Sequence, residues 1–321
     1  MSKREDLKRV GTWNLEGRWS RSHEERLLAA ACDVWLLTEL HVGVRELPGY
    51  RIHRSKDLMT ADRHWAAVAA RDDLVISSWD CDPHPASVAA DVDGVTYCAS
   101  VLPWRSCGTG HPWRGRTVAS KTHAAIAALT AVLPAGNTVW GGDWNHALMG
   151  REYAGSLAGR QAILDAVAAL GLKVVTGDLP HRLAGLHTID HVAVPASSTV
   201  TQAERLPMAD GRRSLSDHDA YVVEIGSPHP WSVYVIDVLG LGPNEVYVGQ
   251  SWFRPAERRR QHADGIRPAR VFKREGVTVG ELRPELLPKL PPLLTEEDAL
   301  LAERTVAELL RAQGYTVHGG H

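Results

Sequence analysis

The sequence predicts an α/β (α+β) protein with two separate cores, and three observations carry that prediction. Short alternating or apolar stretches separated by turn residues fill the segment from Tyr50 to Pro103, which is antiparallel hairpin grammar. Helix-spaced apolar positions flank it at His23–Cys32, Thr122–Leu133 and Arg160–Leu170. The chain has 321 residues and its pattern breaks at Gly226-Ser227-Pro228-His229-Pro230. That length exceeds the roughly 100–200 residues of one domain, and prolines beside a glycine mark a short stiff linker. Domains are therefore expected at residues 1–226 and 232–321, with residues 227–231 between them.

Composition bounds the function. A formal net charge of −2 and 44% hydrophobic residues describe a globular protein, not a disordered, fibrous or grossly basic one. Any nucleic-acid binding must come from a local patch. The cysteines (Cys32, Cys81, Cys98, Cys107) form no C-x-x-C pair, and the opening MSKREDLKRV is charged without an apolar stretch, so a reduced, cytoplasmic setting is expected. No apolar run approaches the ~18–20 residues needed to cross a bilayer, so no membrane partner is expected.

In the first part of the chain, apolar strands repeatedly end in polar groups. Arg9–Trp13 runs into Asn14-Leu15-Glu16-Gly17, and Val34–Leu37 runs into Thr38-Glu39. Val139-Trp140-Gly141-Gly142 delivers Asp143-Trp144-Asn145, where side chains two apart on a strand share a face and enter one cleft. A strand running into an Asx turn is the plainer alternative for Asp-x-Asn. Further on, Asp190-His191 leads Val192–Val194, and Asp217-His218-Asp219 leads Tyr221–Val223; His191 reads as a structural neighbour, and His218 has the better claim to chemistry. Arg105, Arg114, Arg116 and Lys121, interleaved with Trp104 and Trp113, form a loop suited to an anionic polymer with stackable bases.

Together Asn14, Glu16, Glu39, Asp143, Asn145, Asp190, Asp217 and His218 supply oxygen ligands without a cysteine cluster, which favours a hard cation such as Mg²⁺ or Mn²⁺ over zinc. A carboxylate and an imidazole add proton handling, and amide donors add oxyanion stabilisation, the parts needed to attack a phosphodiester with water. The ordered set WNLEG, LLTEL, GGDWN, TIDHV and LSDHD over about residues 8–225 resembles the endonuclease/exonuclease/phosphatase superfamily. The resemblance implies a four-layered α/β sandwich of two mainly antiparallel sheets with one cleft at the strand ends. It also implies that Glu39 binds the ion, with Glu16 and Asp217 as further ligands, and that Asn14 orders the carboxylates. Asp143 would position or deprotonate the water, Asn145 would contact the phosphate, and His218, oriented by Asp190, would stabilise the charged phosphorane or act as general base. Thr38 stands where many relatives carry Gln, and Ser100-Val101-Leu102 replaces a segment where DNA-repair members carry a substrate-contacting tyrosine.

Beyond the break, strands are expected at Ser232–Val238 and Glu245–Val248, then a helix from about Pro255. Between Arg254 and Arg274 the residues Arg254, Arg258, Arg259, Arg260, Arg267, Arg270, Lys273 and Arg274 outnumber Glu257 and Asp264, a surplus that fits contact with a phosphate backbone. In the last helix, capped by Thr295 and ended by Gly314, Glu303 lies within the apolar stripe Ala299, Val306 and Leu310. A carboxylate buried there costs several kcal/mol unless a cation or partner offsets it. The order Val233-Tyr234-Val235, Tyr247-Val248-Gly249, Arg258, His262 and Glu303 resembles the GIY-YIG nuclease domain over about residues 231–321. That resemblance implies a small three-stranded sheet flanked by helices, a metal ion on Glu303, Arg258 on the scissile phosphate, and Tyr234, Tyr247 and His262 as the proton-transfer group. The first signature reads VYV in place of GIY, and Gln250 replaces a common lysine.

The function expected from sequence is a divalent-metal-dependent nuclease with two nuclease-like modules acting on nucleic acid, with DNA the expected substrate. The alternative is a phosphatase for a small phosphoester in the first domain, with the second serving only to bind nucleic acid.

Overall fold

A computed structural model describes residues 7–211, 213–226, 231–251, 255–266, 268–290, 293 and 296–320, with residues 257 and 296 through their backbone only. The linker prolines, Arg254, Arg267 and the capping Thr295 lie outside the described residues. Backbone contacts divide the chain into two compact units between residues 227 and 228. No helix among the described residues is long and apolar enough to cross a membrane.

In the first unit β1 (Leu7–Asn14) leads through α1 (Arg21–Ala29) to β2 (Val34–His41). Then follow β3 (Tyr50–Arg54), β4 (Leu58–Thr60), β5 (Arg63–Arg71), β6 (Ile76–Ser78), β7 (Ser87–Val92) and β8 (Val95–Ser100). Helix α2 (Val118–Thr130), β9 (Thr138–Asp143), α3 (Leu157–Ala169), β10 (Leu172–Val174) and β11 (Asp190–Pro195) come next. β12 (Val200–Leu206), the short hairpin β13 (Ala209–Asp210) and β14 (Arg213–Ser214), and β15 (Ala220–Gly226) complete the unit. Two sheets result, ordered β12-β15-β1-β2-β5-β3 with β4 on β5, and β10-β11-β9-β8-β7-β6.

Valines and leucines from both sheets, among them Val10, Leu36, Val68, Val139, Val192 and Val223, fill the space between them. That explains why these strands read as near-continuous apolar runs. Leu27 of α1 packs with Trp13, Trp35 and Leu37 on the outer face of one sheet. Leu129 of α2 and Ile163 of α3 cover Trp140 on the outer face of the other. The unit is thus a four-layered α/β sandwich. Trp140 is fully buried, so its truncation to alanine is expected to cost about 3–5 kcal/mol.

The strand register places the polar ends together. β1 and β2 run parallel with Asn14 beside Thr38, and β9 meets β11 antiparallel with Asp143 opposite Asp190. β15 is antiparallel to β1, so the segment preceding it arrives at the C-terminal end of β1. Two glycines make the last approach possible. A Cβ on Gly141 would fall 2.6 Å from the His191 carbonyl oxygen, and one on Gly142, at φ +126°, would fall 2.2 Å from that of Ser100.

In the second unit β16 (Ser232–Leu239) and β17 (Glu245–Ser251) form a hairpin, followed by α4 (Pro255–Ala263), β18 (Thr278–Leu282), α5 (Glu296–Ala312) and β19 (Thr316–Gly319). The sheet order is β18-β16-β17-β19, so the sheet has one strand more than the three expected. β19 pairs parallel to β17 from Glu245↔Thr316 to Val248↔Gly319, a non-local pairing that the alternation of so short a segment does not reveal. Val233, Val235, Val246 and Val248 pack on Ala299, Val306 and Leu310 of α5.

Candidate active site

The end of β1 organises the first unit's site. Asn14 donates one amide hydrogen to Glu39 Oε1 at 3.1 Å and the other to Asp143 Oδ2 at 3.0 Å. Its Oδ1 accepts the Glu16 backbone N–H at 2.8 Å. One neutral side chain thereby fixes carboxylates from two different sheets. Glu16, Glu39 and Asn145 all adopt left-handed backbone, at φ 54°, 53° and 52°. Among the described residues only Ala31, Asp93 and Asn244 share that feature without being glycine. Such strain costs of order 1–3 kcal/mol per residue and gathers where side chains must be aimed.

Asp143 ends β9, and its Oδ1 accepts the Asn145 N–H at 3.1 Å. The expectation that Asn145 shares a strand face with Asp143 is corrected here. Asn145 lies past the strand in an Asx turn, and its Nδ2 donates to the Leu102 carbonyl at 3.1 Å. The turn, not strand alternation, brings the two side chains to one place.

Across β9, Asp190 Oδ2 bonds His218 Nδ1 at 2.7 Å. Asp190 Oδ1 is buried with no hydrogen-bond partner among the described residues. Ser216 Oγ accepts the His218 N–H at 3.1 Å and donates to the Asn14 carbonyl at 2.6 Å, tying the histidine loop to β1. Glu16 Oε2 accepts the Asp217 N–H at 3.0 Å. Ligand atoms of Asp143, Asp190 and His218 lie within 4.8 Å of one another.

Burial first, and the nearby Asp190 and Glu39 charges, push the Asp143 carboxyl up to about 7, although His218 and Asn14 pull it down. Burial acts the other way on His218, but Asp190 and Asp143 outweigh it and push the imidazole up to about 10. A protonated imidazole cannot ligate a metal. Without a cation, the trio Asp143, Asp190 and His218 is an acid–imidazolium group. The charges of Asp190 and Glu39 beside Asp143 add to burial in disfavouring its ionised form.

The remaining sequence candidates fare differently. Lys121 is corrected to a structural residue: it is 4% exposed, and its ammonium donates to the carbonyls of Cys107 and Gly108 at 2.8 Å each. Trp113 is likewise corrected. It is buried and packs edge-on against Trp65 and flat against His84, so it offers no stacking platform. Arg105, Arg114 and Arg116 are exposed, and the guanidinium of Arg105 reaches the Gly155 carbonyl at 3.4 Å. Sequence reasoning missed Arg63, whose Nη1 bonds Glu39 Oε2 at 2.6 Å. No local motif marks it, because the contact depends on the pairing of β5 with β2.

In the second unit Tyr234 and His262 are bonded through Oη and Nε2 at 3.0 Å. Tyr247 packs against both, with ring centroids 6.1 Å from Tyr234 and 5.5 Å from His262. Burial, then the Arg258 charge, push His262 down to about 4, and Arg258 also hydrogen-bonds Tyr234. Glu303 is 8% exposed, its charge acts on Tyr247, and its Oε1 accepts the Gly320 N–H at 3.0 Å. Tyr247 and Glu303 line one cavity of about 660 Å³ with Arg270, Lys273, Arg274 and Arg311.

Comparison with solved structures bears on the first unit. An AP endonuclease from Archaeoglobus fulgidus superposes with a TM-score of 0.51 at 17% identity, over 67% of this chain and 98% of that one. The first unit shares the fold of that endonuclease. The endonuclease domain of TRAS1, a telomere-specific non-LTR retrotransposon, gives 0.49 at 18% identity over 69% of this chain and 99% of its own. The human Nocturnin catalytic domain gives 0.48 at 14% over 69% and 94%. No sequence-family model and no curated protein matches the chain.

Proposed function

We propose that the first unit is a divalent-metal-dependent phosphodiesterase that cuts nucleic acid, with DNA as substrate. The observation that carries this is the Asn14 amide holding Glu39 and Asp143 together while the Asp190–His218 pair lies on the same Asp143. Glu39, with Glu16 and Asp217, would hold Mg²⁺ or Mn²⁺; the bound ion supplies charge neutralisation at the phosphate. Asp143, whose carboxyl is pushed up to about 7 by burial, is suited to taking a proton from the attacking water near neutral pH. Asn145 has one amide hydrogen on Leu102 and the second available for a phosphate oxygen. His218 carries a positive charge maintained by Asp190, which suits it to stabilise the additional negative charge of the phosphorane.

The second unit, residues 232–321 after a linker at 227–231, is read as a GIY-YIG-like nuclease module. Its support is the Tyr234–His262 bond with Tyr247 against both, and a basic cavity that contains Glu303. Arg258 would brace the scissile phosphate and Glu303 would hold one divalent ion. A chain carrying both modules can make paired cuts, since a short linker raises the effective concentration of the second site to roughly the millimolar range.

The test is a panel of plasmid, single-stranded DNA, RNA, abasic duplex and inositol phosphates, assayed with Mg²⁺, Mn²⁺ or chelator. Cutting of DNA that chelator abolishes is expected. Phosphate release from inositol phosphates, with every polymer left intact, would replace this reading by the small-phosphoester phosphatase.

A further inference from the structure

Glu39 has two oxygens, and each is occupied. Oε1 takes the neutral Asn14 amide, whereas Oε2 takes the Arg63 guanidinium at 2.6 Å. The Arg63 and Glu39 side chains are only 25% and 15% exposed, so this pair is screened less than a surface pair. The guanidinium is also lodged against backbone. A Cβ on Gly17 would fall 2.6 Å from Arg63 Cζ and Nε, so the glycine after Leu15-Glu16 makes room for it. Arg63 Nε is buried and has no hydrogen-bond partner among the described residues; the Asp62 carboxylate Oδ1 stands 3.7 Å away. An arginine with one hydrogen bond, a looser ion pair to Asp62 and a buried donor still unmet is poised for a second acceptor.

We propose that Arg63 is the resident cation of this site: it competes with the divalent ion for Glu39 and, once displaced, binds a non-bridging oxygen of the substrate phosphate. The inference rests on the reading of Glu39 as a metal ligand. Two like charges cannot share one carboxylate oxygen without repulsion, so an arriving ion displaces the guanidinium from Oε2. A guanidinium stays charged at any working pH and matches a phosphate as a planar fork. Arg63 begins β5, immediately after the turn that follows β4, so its side chain is rooted at a strand end rather than in the sheet's interior.

The experiment measures Mn²⁺ binding by calorimetry on the chelator-stripped full chain, and separately turnover on DNA at saturating Mn²⁺. Arg63→Ala is expected to bind Mn²⁺ roughly tenfold tighter while turnover falls about a hundredfold, opposite directions that a merely structural residue does not produce. In chelator its melting midpoint falls, because Glu39 then lacks its counter-charge, and Mn²⁺ restores it. Arg63→Lys keeps the charge and loses the fork, so it is expected to bind Mn²⁺ like the parent and still turn over slowly. Unchanged or weaker Mn²⁺ binding in Arg63→Ala overturns the competition, and undiminished turnover overturns the phosphate contact. Glu39→Ala separates the two levels: if it abolishes binding while Arg63→Ala changes nothing, only this inference fails. If Glu39→Ala binds Mn²⁺ as the parent does, the metal assignment fails and the inference with it.

Discussion

The two candidate sites each centre on a histidine, half-buried at His218 and buried at His262, and the two are driven in opposite directions. Burial disfavours the charged ring in both. His218 nonetheless rises to about 10, because Asp190 and Asp143 lie against it, whereas His262 falls to about 4 beside Tyr234 and Arg258. The carboxylate-rich cleft thus keeps an imidazolium, suited to stabilising negative charge. The tyrosine cluster keeps a neutral imidazole, whose Nδ1 accepts the Ala269 N–H and whose Nε2–H faces Tyr234 Oη. At His262 burial sets the direction and Arg258 adds to it, whereas at His218 the neighbouring carboxylates override it.

The largest effect should come from breaking the first site. His218→Ala or Asp143→Asn is expected to reduce DNA cutting by about 10²–10⁴-fold, measured as plasmid nicking under saturating Mg²⁺. Unchanged rates in both would sink the assignment of the first unit. The remaining activity then isolates the second unit. In the Asp143→Asn background, Glu303→Ala should remove the residual cutting, and cutting that survives would make Glu303 structural.

The comparison itself is sharpened by Asp190→Asn. Removing that negative charge should bring the His218 ring from about 10 down toward or below the usual ~6.5, read by NMR titration in chelator. In the parent protein His218 is raised above its unfolded value. Its stabilisation is therefore complete below the usual ~6.5 and is lost as pH rises through about 10. His262 carries the reverse sign. Its folded value of about 4 lies below the usual ~6.5, so its contribution to stability is present above 6.5 and declines as pH falls toward 4. NMR should show this ring neutral throughout pH 6–8, and His262→Gln should flatten the acid slope of the second unit's unfolding midpoint. The smallest effect on binding is expected at Lys121. Lys121→Ala should lower the melting temperature while leaving DNA affinity within about twofold, because the ammonium is committed to two carbonyls.

Sequence alone was enough for the mixed α/β class, the hairpin-rich middle and most strands, because period-two alternation and turn residues are local signals. It also determined the order in which polar groups interrupt apolar strands, from Asn14 to His218. The second strand pair and the tyrosines upon it were equally legible at Tyr234 and Tyr247. Three other features came only from tertiary structure. Lys121 and Trp113 read as loop residues facing solvent until the structure placed Lys121 in α2 and packed Trp113 into the core beneath it. β19 joined the sheet through pairing with a strand some seventy residues earlier. Arg63 reached Glu39 through the register of β5 against β2. Periodicity reports which face of an element is buried, but not which distant backbone will lie beside it. A charged side chain's role depends on that second fact.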